Sequence, residues 1–205
     1  MVFLKSLYFL LKKSFFKVHY PLGISFDITS RCNLRCKHCY FIKQNQHDEL
    51  TDDQFITKVD QLKKEHPSVM HAGWVGGEPL LRRNLLIECT KKFPLNMIVT
   101  NGTFELPSLK NGVFNVSVDG TKEYYEAIRG AKVYDLVKQN ANRKDIKVNV
   151  ACVLNSLNKD CPEKLLKEWK NTHINGISFS FYTPQKGSKD PLYLTGNQRD
   201  IIINQ

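Results

Sequence analysis

Strand patterns and helix patterns alternate along the chain from Gly23 onward, and this alternation restricts the fold more than any other feature. Six short extended runs are separated by segments with helical periodicity or helix caps. The predicted strands cover residues 23–29, 71–75, 96–100, 113–118, 146–154 and 176–182. Strands joined by helices form parallel sheets with right-handed crossovers, so the sequence predicts an α/β fold.

Several of these strands alternate strictly between apolar and polar residues, whereas buried parallel strands usually read as continuous apolar runs. In the first strand, Ile24, Phe26 and Ile28 are interleaved with polar side chains. An antiparallel sheet with one wet face would give the same pattern, but it needs hairpins, and the connections here are long and helical. We therefore predict a partial (β/α)6 TIM-like barrel with parallel strands and a polar concave face. It is open on one side, because a closed eight-unit barrel needs about 250 residues.

Helix signals of unequal strength lie between the strands. Thr51 and Gln54 form a capping box, and Pro162 stands near the start of a later helix. The segment between the third and fourth strands is short and has the weakest helix signal. Further helices are predicted around residues 85–93, 121–128 and 132–142, and from about Thr195.

Length and charge set broad limits on the function. A chain of 205 residues suits one domain with a sizeable core, with or without tails. The formal net charge of +10 comes mostly from scattered lysines, without an Arg-rich run or a basic stripe interleaved with aromatic residues. Such a distribution is typical of a solvated surface, so we expect no nucleic-acid partner.

The two ends of the chain differ from its centre. Residues 1–22 have apolar positions at helical spacing and a basic polar face, which predicts an amphipathic helix. Its lysines interrupt any transmembrane span, so the helix packs across the domain or, as the weaker alternative, anchors at a membrane surface. Residues 23–184 form the predicted core. Residues 185–205 form a C-terminal extension whose early end favours a truncated part, although a short capping helix would look similar.

Three of the six cysteines, Cys32, Cys36 and Cys39, directly follow the first strand in the spacing Cys-x3-Cys-x2-Cys. Thiolates are soft ligands that select zinc, copper(I) or iron–sulfur clusters. A structural zinc site needs a fourth ligand, which His38 or His47 could supply. A four-iron cluster on three cysteines instead leaves one iron open for another ligand. The triad alone favours the cluster and leaves the zinc site as an alternative.

The remaining cysteines are dispersed. Cys89, Cys152 and Cys161 are interpreted as buried or incidental thiols. With no cleavable secretory signal before them, the six cysteines suit a reducing compartment better than a disulfide framework. We expect a cytoplasmic protein, peripheral to the membrane if the N-terminal helix anchors it.

A second motif ends the second strand in the sequence "WVGGEPLLR". Gly76 and Gly77 allow the backbone to approach a ligand closely, and Glu78 can accept a hydrogen bond from an ammonium group. A tight strand-to-helix turn would need the same two glycines. The motif by itself therefore does not distinguish a ligand site from a tight turn, and a ligand site is indicated only together with the cysteine triad that precedes it.

"CNLRCKHC" followed by "GGEP" after the next strand resembles the radical S-adenosylmethionine (SAM) superfamily. The resemblance covers roughly residues 23–184. "TNGT" after the third strand and "VSVDG" at the end of the fourth are similar to members with a peptide-modifying or cofactor-building core. The glycine-rich fifth-strand motif of some members has no clear counterpart in "VNVACVLN". Many members bind auxiliary clusters through a cysteine-rich C-terminal extension, whereas residues 185–205 contain no cysteine.

The resemblance implies a [4Fe-4S] cluster on Cys32, Cys36 and Cys39, with the amino and carboxylate groups of SAM on the fourth iron. Reductive cleavage of SAM would then give a 5′-deoxyadenosyl radical that abstracts hydrogen from a substrate, with electrons from a donor such as flavodoxin or ferredoxin. The residues that the resemblance implies at SAM are His38 beside the adenine, Gly76, Gly77 and Glu78 at the amino group, Asn101, Ser117 and Asp119 at the ribose, and Arg129 at the carboxylate.

The positions of polar residues agree with this assignment. Six residues fall at or just past the ends of successive predicted strands: Cys32, Glu78, Asn101, Asp119, Asn155 and Tyr182. Barrel enzymes place their sites at these strand ends. Two alternatives remain: a zinc-stabilised binding module, and a divergent or truncated member that binds a cluster without turnover.

Overall fold

The computed structural model describes residues 7, 8, 11, 21–41, 48–184 and 189–204. Most of the predicted N-terminal helix lies outside these residues. The structure assigns Leu7, Tyr8 and Leu11 to helix. Within the described part of the chain, no helix combines the length and the apolar character needed to cross a bilayer.

All six predicted strands form, and their ends lie within one residue of the predicted ends. They are β1 (Gly23–Thr29), β2 (His71–Gly76), β3 (Leu95–Thr100), β4 (Gly112–Ser117), β5 (Lys147–Leu154) and β6 (Gly176–Phe181). Their order in one sheet is β1-β2-β3-β4-β5-β6. The pairs β1–β2, β2–β3 and β5–β6 are parallel, so the α/β prediction is confirmed. Among the described strands, β1 and β6 are not neighbours, and the sheet is open.

The helices also follow the predicted pattern. They are α1 (Asp52–Glu65), α2 (Arg83–Thr90), α3 (Lys122–Arg129), α4 (Tyr134–Ala141), α5 (Pro162–Trp169) and α6 (Gly196–Ile203), with a 3₁₀ turn at Pro79–Arg82. The capping box of Thr51 and Gln54 is present at the start of α1. A second one, formed by Thr195 and Gln198, begins α6.

One connection differs from the strand–helix alternation. The described residues 101–111, between β3 and β4, contain no helix. Instead, the Asn111 side chain donates hydrogen bonds to the carbonyls of Thr90 (3.0 Å) and Phe93 (2.7 Å) at the end of α2. The connection is short and includes Pro107, which lacks a backbone donor. The Asn111 side chain therefore satisfies carbonyl groups at the end of the preceding helix. The helix signal of this segment was the weakest in the sequence, and its described residues form no helix.

The described chain divides into two compact units. The first comprises Met1–Cys32, Asn45–Thr100 and Pro107–Phe114. Its core contains the stacked rings of Phe26 and Trp74, with centroids 4.8 Å apart, and the Trp74 indole donates to the Asn96 side chain at 2.9 Å. Polar Ser25 and Asp27 of β1 are exposed, whereas Phe26 and Ile28 are buried. The strict alternation in the sequence is thus an alternation between two faces of the strand.

The second unit comprises Asn33–Gln44, Asn101–Leu106 and Asn115–Gln205. Its core is built around Tyr125 and Tyr134, whose ring centroids lie 5.5 Å apart, and the Trp169 indole donates to the Tyr134 hydroxyl at 3.0 Å. Alternate residues of β5 are buried. Strand β6 is less covered, and Phe179 remains 36% exposed.

Candidate cofactor site

The three clustered cysteines lie in the segment that leaves β1. The side chains of Cys32, Cys36 and Cys39 are half-buried. Within the second unit, the Cys39 amide donates to the Cys36 carbonyl at 3.1 Å, and the Arg129 Nη1 atom lies 3.9 Å from the Cys36 sulfur. Among the residues that the structure describes, no three His, Cys, Asp or Glu side chains are already arranged as a metal site. The donor chemistry of three half-buried thiols, with a cation beside one of them, suits a soft metal centre such as an iron–sulfur cluster.

In the first unit, Gly76 and Gly77 lie against the backbone that leads to Cys32. A Cβ atom on Gly76 would come within 2.4 Å of the Thr29 carbonyl oxygen, and one on Gly77 within 2.1 Å of the Arg31 carbonyl oxygen. Gly76 also has a φ of 115°, which disfavours other residues. The space that these glycines leave is therefore filled by the chain itself. Their contact with the amino group of SAM stays a prediction.

Glu78 is fully buried at the start of the 3₁₀ turn. Its Oε1 atom accepts hydrogen bonds from the Leu80 amide at 3.0 Å and from the Thr100 hydroxyl at 2.8 Å. Its own amide donates to the Arg31 carbonyl at 2.8 Å. The residue thus caps a turn and ties β3 to it through neutral donors. Contact with an ammonium group stays a prediction.

In the second unit, the fully buried carboxylate of Asp119 lies next to two other predicted site residues. Asp119 Oδ2 lies 2.7 Å from Arg129 Nη2 and 3.6 Å from His38 Nε2, and Oδ1 accepts from the Val153 amide at 2.9 Å. Burial alone would lower the pKa of Arg129, but the negative charges of Asp119 and Cys36 outweigh it and raise this pKa. These contacts assign Asp119 to holding Arg129, whereas His38 lies beside the carboxylate beyond hydrogen-bond distance. Its contact with the ribose stays a prediction.

His38 and Arg129 each have a buried nitrogen that is left over for another group. In the described part of the chain, His38 Nδ1 and Arg129 Nε have no hydrogen-bond partner. Burial is the largest influence on His38 and lowers its pKa; Arg129 lowers it further, while Asp119 opposes the shift. Neutral imidazole is therefore favoured. Unpartnered buried polar atoms are rare in folded proteins, so these two nitrogens fit the presence of a polar ligand beside the cysteines.

Asn101 is bound to the cysteine segment, which the sequence did not predict. Its side-chain amide donates to Asn33 Oδ1 at 2.8 Å, Thr103 Oγ1 donates to Asn101 Oδ1 at 2.7 Å, and Asn33 Nδ2 donates to Thr103 Oγ1 at 2.9 Å. The three side chains close a ring of hydrogen bonds. Asn33 immediately follows Cys32 in "CN", so the asparagines of "CN" and "TNGT" are the signal that could have predicted the pair.

The other residues at the strand ends have mainly local roles. Ser117 ends β4 and is half-buried. Asn155 is fully buried in a turn, where its amide donates to Asn158 Oδ1 at 2.7 Å. The Tyr182 hydroxyl donates to Asp190 at 2.7 Å, and burial together with this hydrogen bond raises the pKa of Tyr182 to about 12. Asn155 and Tyr182 are therefore engaged in shaping loops.

Comparison with known proteins gives one family. Residues 26–168 match the family model described as "Radical SAM superfamily". Pre-heme d1 synthase from Dinoroseobacter shibae is 28% identical over 161 residues, which cover 70% of this chain and 39% of that protein. Fe-coproporphyrin III synthase from Methanosarcina barkeri is 29% identical over 171 residues, which cover 74% and 42%. The chain thus spans less than half the length of these relatives.

Solved structures show the same fold. Native anSMEcpe with bound AdoMet and Kp18Cys peptide has a TM-score of 0.71 and 22% identity, over 87% of this chain and 57% of that one. Streptococcus suis SuiB bound to S-adenosylmethionine has a TM-score of 0.74 and 15% identity, over 95% of this chain and 50% of that one. The predicted partial (β/α)6 fold, with parallel strands in an open sheet, is confirmed.

Proposed function

Because the chain belongs to the radical SAM superfamily, we propose that it is the core of an enzyme that uses a [4Fe-4S] cluster and SAM to abstract hydrogen from an organic substrate. We assign the cluster to Cys32, Cys36 and Cys39. When bound, the cluster supplies the electron that splits SAM into methionine and the 5′-deoxyadenosyl radical. The cofactors are inferred from the family, and the residues that would bind them are inferred from the contacts in this chain.

The observation that carries the proposal is the position of the Arg129 guanidinium beside Cys36. The ligand form of cysteine is the thiolate, which a neighbouring cation stabilises. Arg129 is itself held by Asp119 at 2.7 Å, inside the second unit and almost out of contact with solvent. A surface zinc loop would not require a buried ion pair behind one of its thiols, so this arrangement supports a cofactor site.

The polar residues of the second unit have distinct tasks in this proposal. Asp119 fixes the orientation of Arg129 and lies beside the His38 ring. Arg129 Nε and His38 Nδ1 then remain for hydrogen bonds to SAM, at its carboxylate and near its adenine respectively. Buried donors and acceptors that are held in place before binding cost little reorganisation when the ligand arrives. Asn101 and Ser117 are the remaining candidates for the ribose.

In the first unit, the Gly76–Glu78 backbone would receive the amino group of SAM. Glu78 is ordered by Leu80 and Thr100, so its carboxylate has a defined position before any ligand binds. We further propose a cytoplasmic location and electron delivery by a donor such as flavodoxin or ferredoxin, since a cluster of this kind must be reduced before each cleavage.

The test is anaerobic purification followed by iron and sulfide analysis, and then incubation with dithionite and SAM. About four irons per chain and formation of 5′-deoxyadenosine are expected. The Cys36→Ala variant should lose the cluster, whereas Cys89→Ala, which removes a buried thiol of α2, should retain it. Zinc without iron would contradict the proposal and favour a zinc-stabilised module. A cluster without 5′-deoxyadenosine would indicate a member that binds the cluster without turnover.

A further inference from the structure

The carboxylate of Glu49 contacts each of the three residues that precede Cys32. Glu49 Oε1 accepts hydrogen bonds from the Thr29 hydroxyl at 2.6 Å, the Ser30 amide at 2.7 Å and the Ser30 hydroxyl at 2.9 Å. Its second oxygen lies 3.4 Å from Arg31 Nε. All four atoms belong to consecutive residues at the end of β1. Glu49 therefore fixes the point at which the cysteine segment leaves the sheet.

These contacts stabilise the ionised form of the Glu49 carboxyl group. Burial alone would raise the pKa of this carboxyl, but the hydrogen bonds from Thr29 and Ser30, together with the charge of Arg31, lower it to about 2. The side chain is ionised at neutral pH, so its hydrogen bonds are charge-assisted and stronger than neutral ones.

Arg82 joins the same two stretches of chain from the buried side. Its Nη1 atom donates to the Ile28 carbonyl and its Nη2 atom donates to the Leu50 carbonyl, both at 2.9 Å, and Nε donates to Asp52 at 3.1 Å. Only 7% of the Arg82 side chain is exposed. The register of β1 against β2 shifts at Ile28, so Arg82 binds a carbonyl at an irregularity of the ladder. One cation thus bridges the end of β1 and the residues that follow Glu49.

We propose that Glu49 and Arg82 are positioning residues that form a clasp between residues 28–31 and residues 49–52, and that this clasp prepares the intervening cysteines for the cluster. All three cysteines lie between Arg31 and Glu49 in the sequence. Holding the two ends of a loop together removes conformational freedom that metal ligation would otherwise have to remove. This inference rests on the proposed function, because it assumes that the cysteines ligate the cluster.

The variants separate hydrogen bonding from charge. Glu49→Ala removes both oxygens, whereas Glu49→Gln removes the charge and keeps an amide oxygen whose two lone pairs can accept two of the three bonds now made to Oε1. Ser30→Ala removes one of those donors, the hydroxyl of a half-buried residue, and gives an intermediate case. Glu88→Ala is the matched control, because Glu88 is an exposed glutamate whose carboxylate is paired with Lys91 at a helix surface.

The measurement is the rate at which an iron chelator removes iron from anaerobically reconstituted protein without SAM, followed by absorbance. Loss of a charge-assisted network predicts release at least about tenfold faster in Glu49→Ala and about threefold faster in Ser30→Ala. Glu49→Gln should restore the rate to within about threefold of the wild type, and Glu88→Ala should leave it unchanged. Thermal unfolding of each apoprotein separates loss of cluster from loss of fold.

Three results would overturn the clasp: wild-type iron release in Glu49→Ala, release from Glu49→Gln as fast as from Glu49→Ala, or faster release that only parallels a lower melting temperature. A wild-type protein that takes up no cluster would instead overturn the proposed function, and the clasp with it. The two failures are therefore distinguishable in the same experiment.

Discussion

The predicted SAM-binding residues of the first unit and those of the second are held in place by different forces. In the first, Gly76 and Gly77 lie against the chain at distances that leave no space for a side chain, and Glu78 accepts from neutral donors. In the second, Asp119 and Arg129 form a buried ion pair. The first set depends on shape and the second on charge balance, so the two should respond to different kinds of substitution.

The largest effect is expected from removing a charge in the second unit. Arg129→Gln leaves the Asp119 carboxylate buried without its cation, which should lower the free energy of unfolding by about 3–5 kcal/mol. Urea unfolding of the apoprotein measures this. Lys122→Gln is the control, because Lys122 and Asp135 form an exposed ion pair that solvent screens, so its loss should leave the stability nearly unchanged.

The pairing itself is tested by the double variant Asp119→Asn with Arg129→Gln. If the carboxylate and the guanidinium stabilise each other, the double variant should lose less than the sum of the two single losses. Additive losses, or an Arg129→Gln variant as stable as Lys122→Gln, would contradict a role for charge balance in this unit.

In the first unit, the expected effect is steric. Gly77→Ala places a methyl group 2.1 Å from the Arg31 carbonyl oxygen, so the backbone must move, at a cost of about 1–3 kcal/mol. Gly176→Ala is the matched control, since a Cβ atom there meets nothing within 4 Å. Urea unfolding of both variants gives the comparison. Equal stabilities would mean that the chain around Arg31 yields easily, and that shape does not govern this unit.

A third substitution tests the ring of hydrogen bonds that the uncharged side chains of Asn33, Asn101 and Thr103 form in the second unit. Asn101→Ala breaks the hydrogen bonds with Asn33 and Thr103 and should cost about 1–2 kcal/mol, less than either change above. Asn204→Ala, which removes an exposed bond to the Asp200 carbonyl, serves as the control and should be nearly neutral. Chelator release of iron should also be faster in Asn101→Ala, because Asn33 adjoins Cys32. A variant that matches Asn204→Ala in both measurements would show that the ring is dispensable.

Strands β3, β4 and β5 were predictable to within one residue because their side chains alternate between a buried and a more accessible face, and that period is visible locally. The roles of several site residues were not, since they depend on contacts between distant positions. Glu49 reaches back 20 residues to Thr29, and Asn101 reaches back 68 residues to Asn33. Asn33 at least adjoins a cysteine in the motif, whereas no local pattern distinguishes Glu49.

The cysteines allow the finest comparison. The dispersed thiols were interpreted as buried or incidental, and the structure places Cys89, Cys152 and Cys161 in buried positions. It also places the sulfurs of Cys152 and Cys161 3.9 Å apart, which the sequence did not indicate. Burial raises the pKa of Cys89 to about 11, and the hydrogen bond to Cys161 together with burial raises the pKa of Cys152. Cys89 and Cys152 should therefore remain protonated at neutral pH.

The last prediction involves no substitution, so the free energy of unfolding does not change, and the expected difference is in the reactivity of the thiols. Alkylation of the native apoprotein with iodoacetamide at pH 8 should modify the half-buried cysteines of the triad at least about a hundredfold faster than Cys89, because both the thiolate fraction and access are lower at the buried site. Peptide mass spectrometry assigns each modified position. All six cysteines should react in denaturant, and cluster loading should protect the triad alone. Modification of Cys89 as fast as the triad would show that α2 opens readily, and that the shape-dependent packing of the first unit is loose.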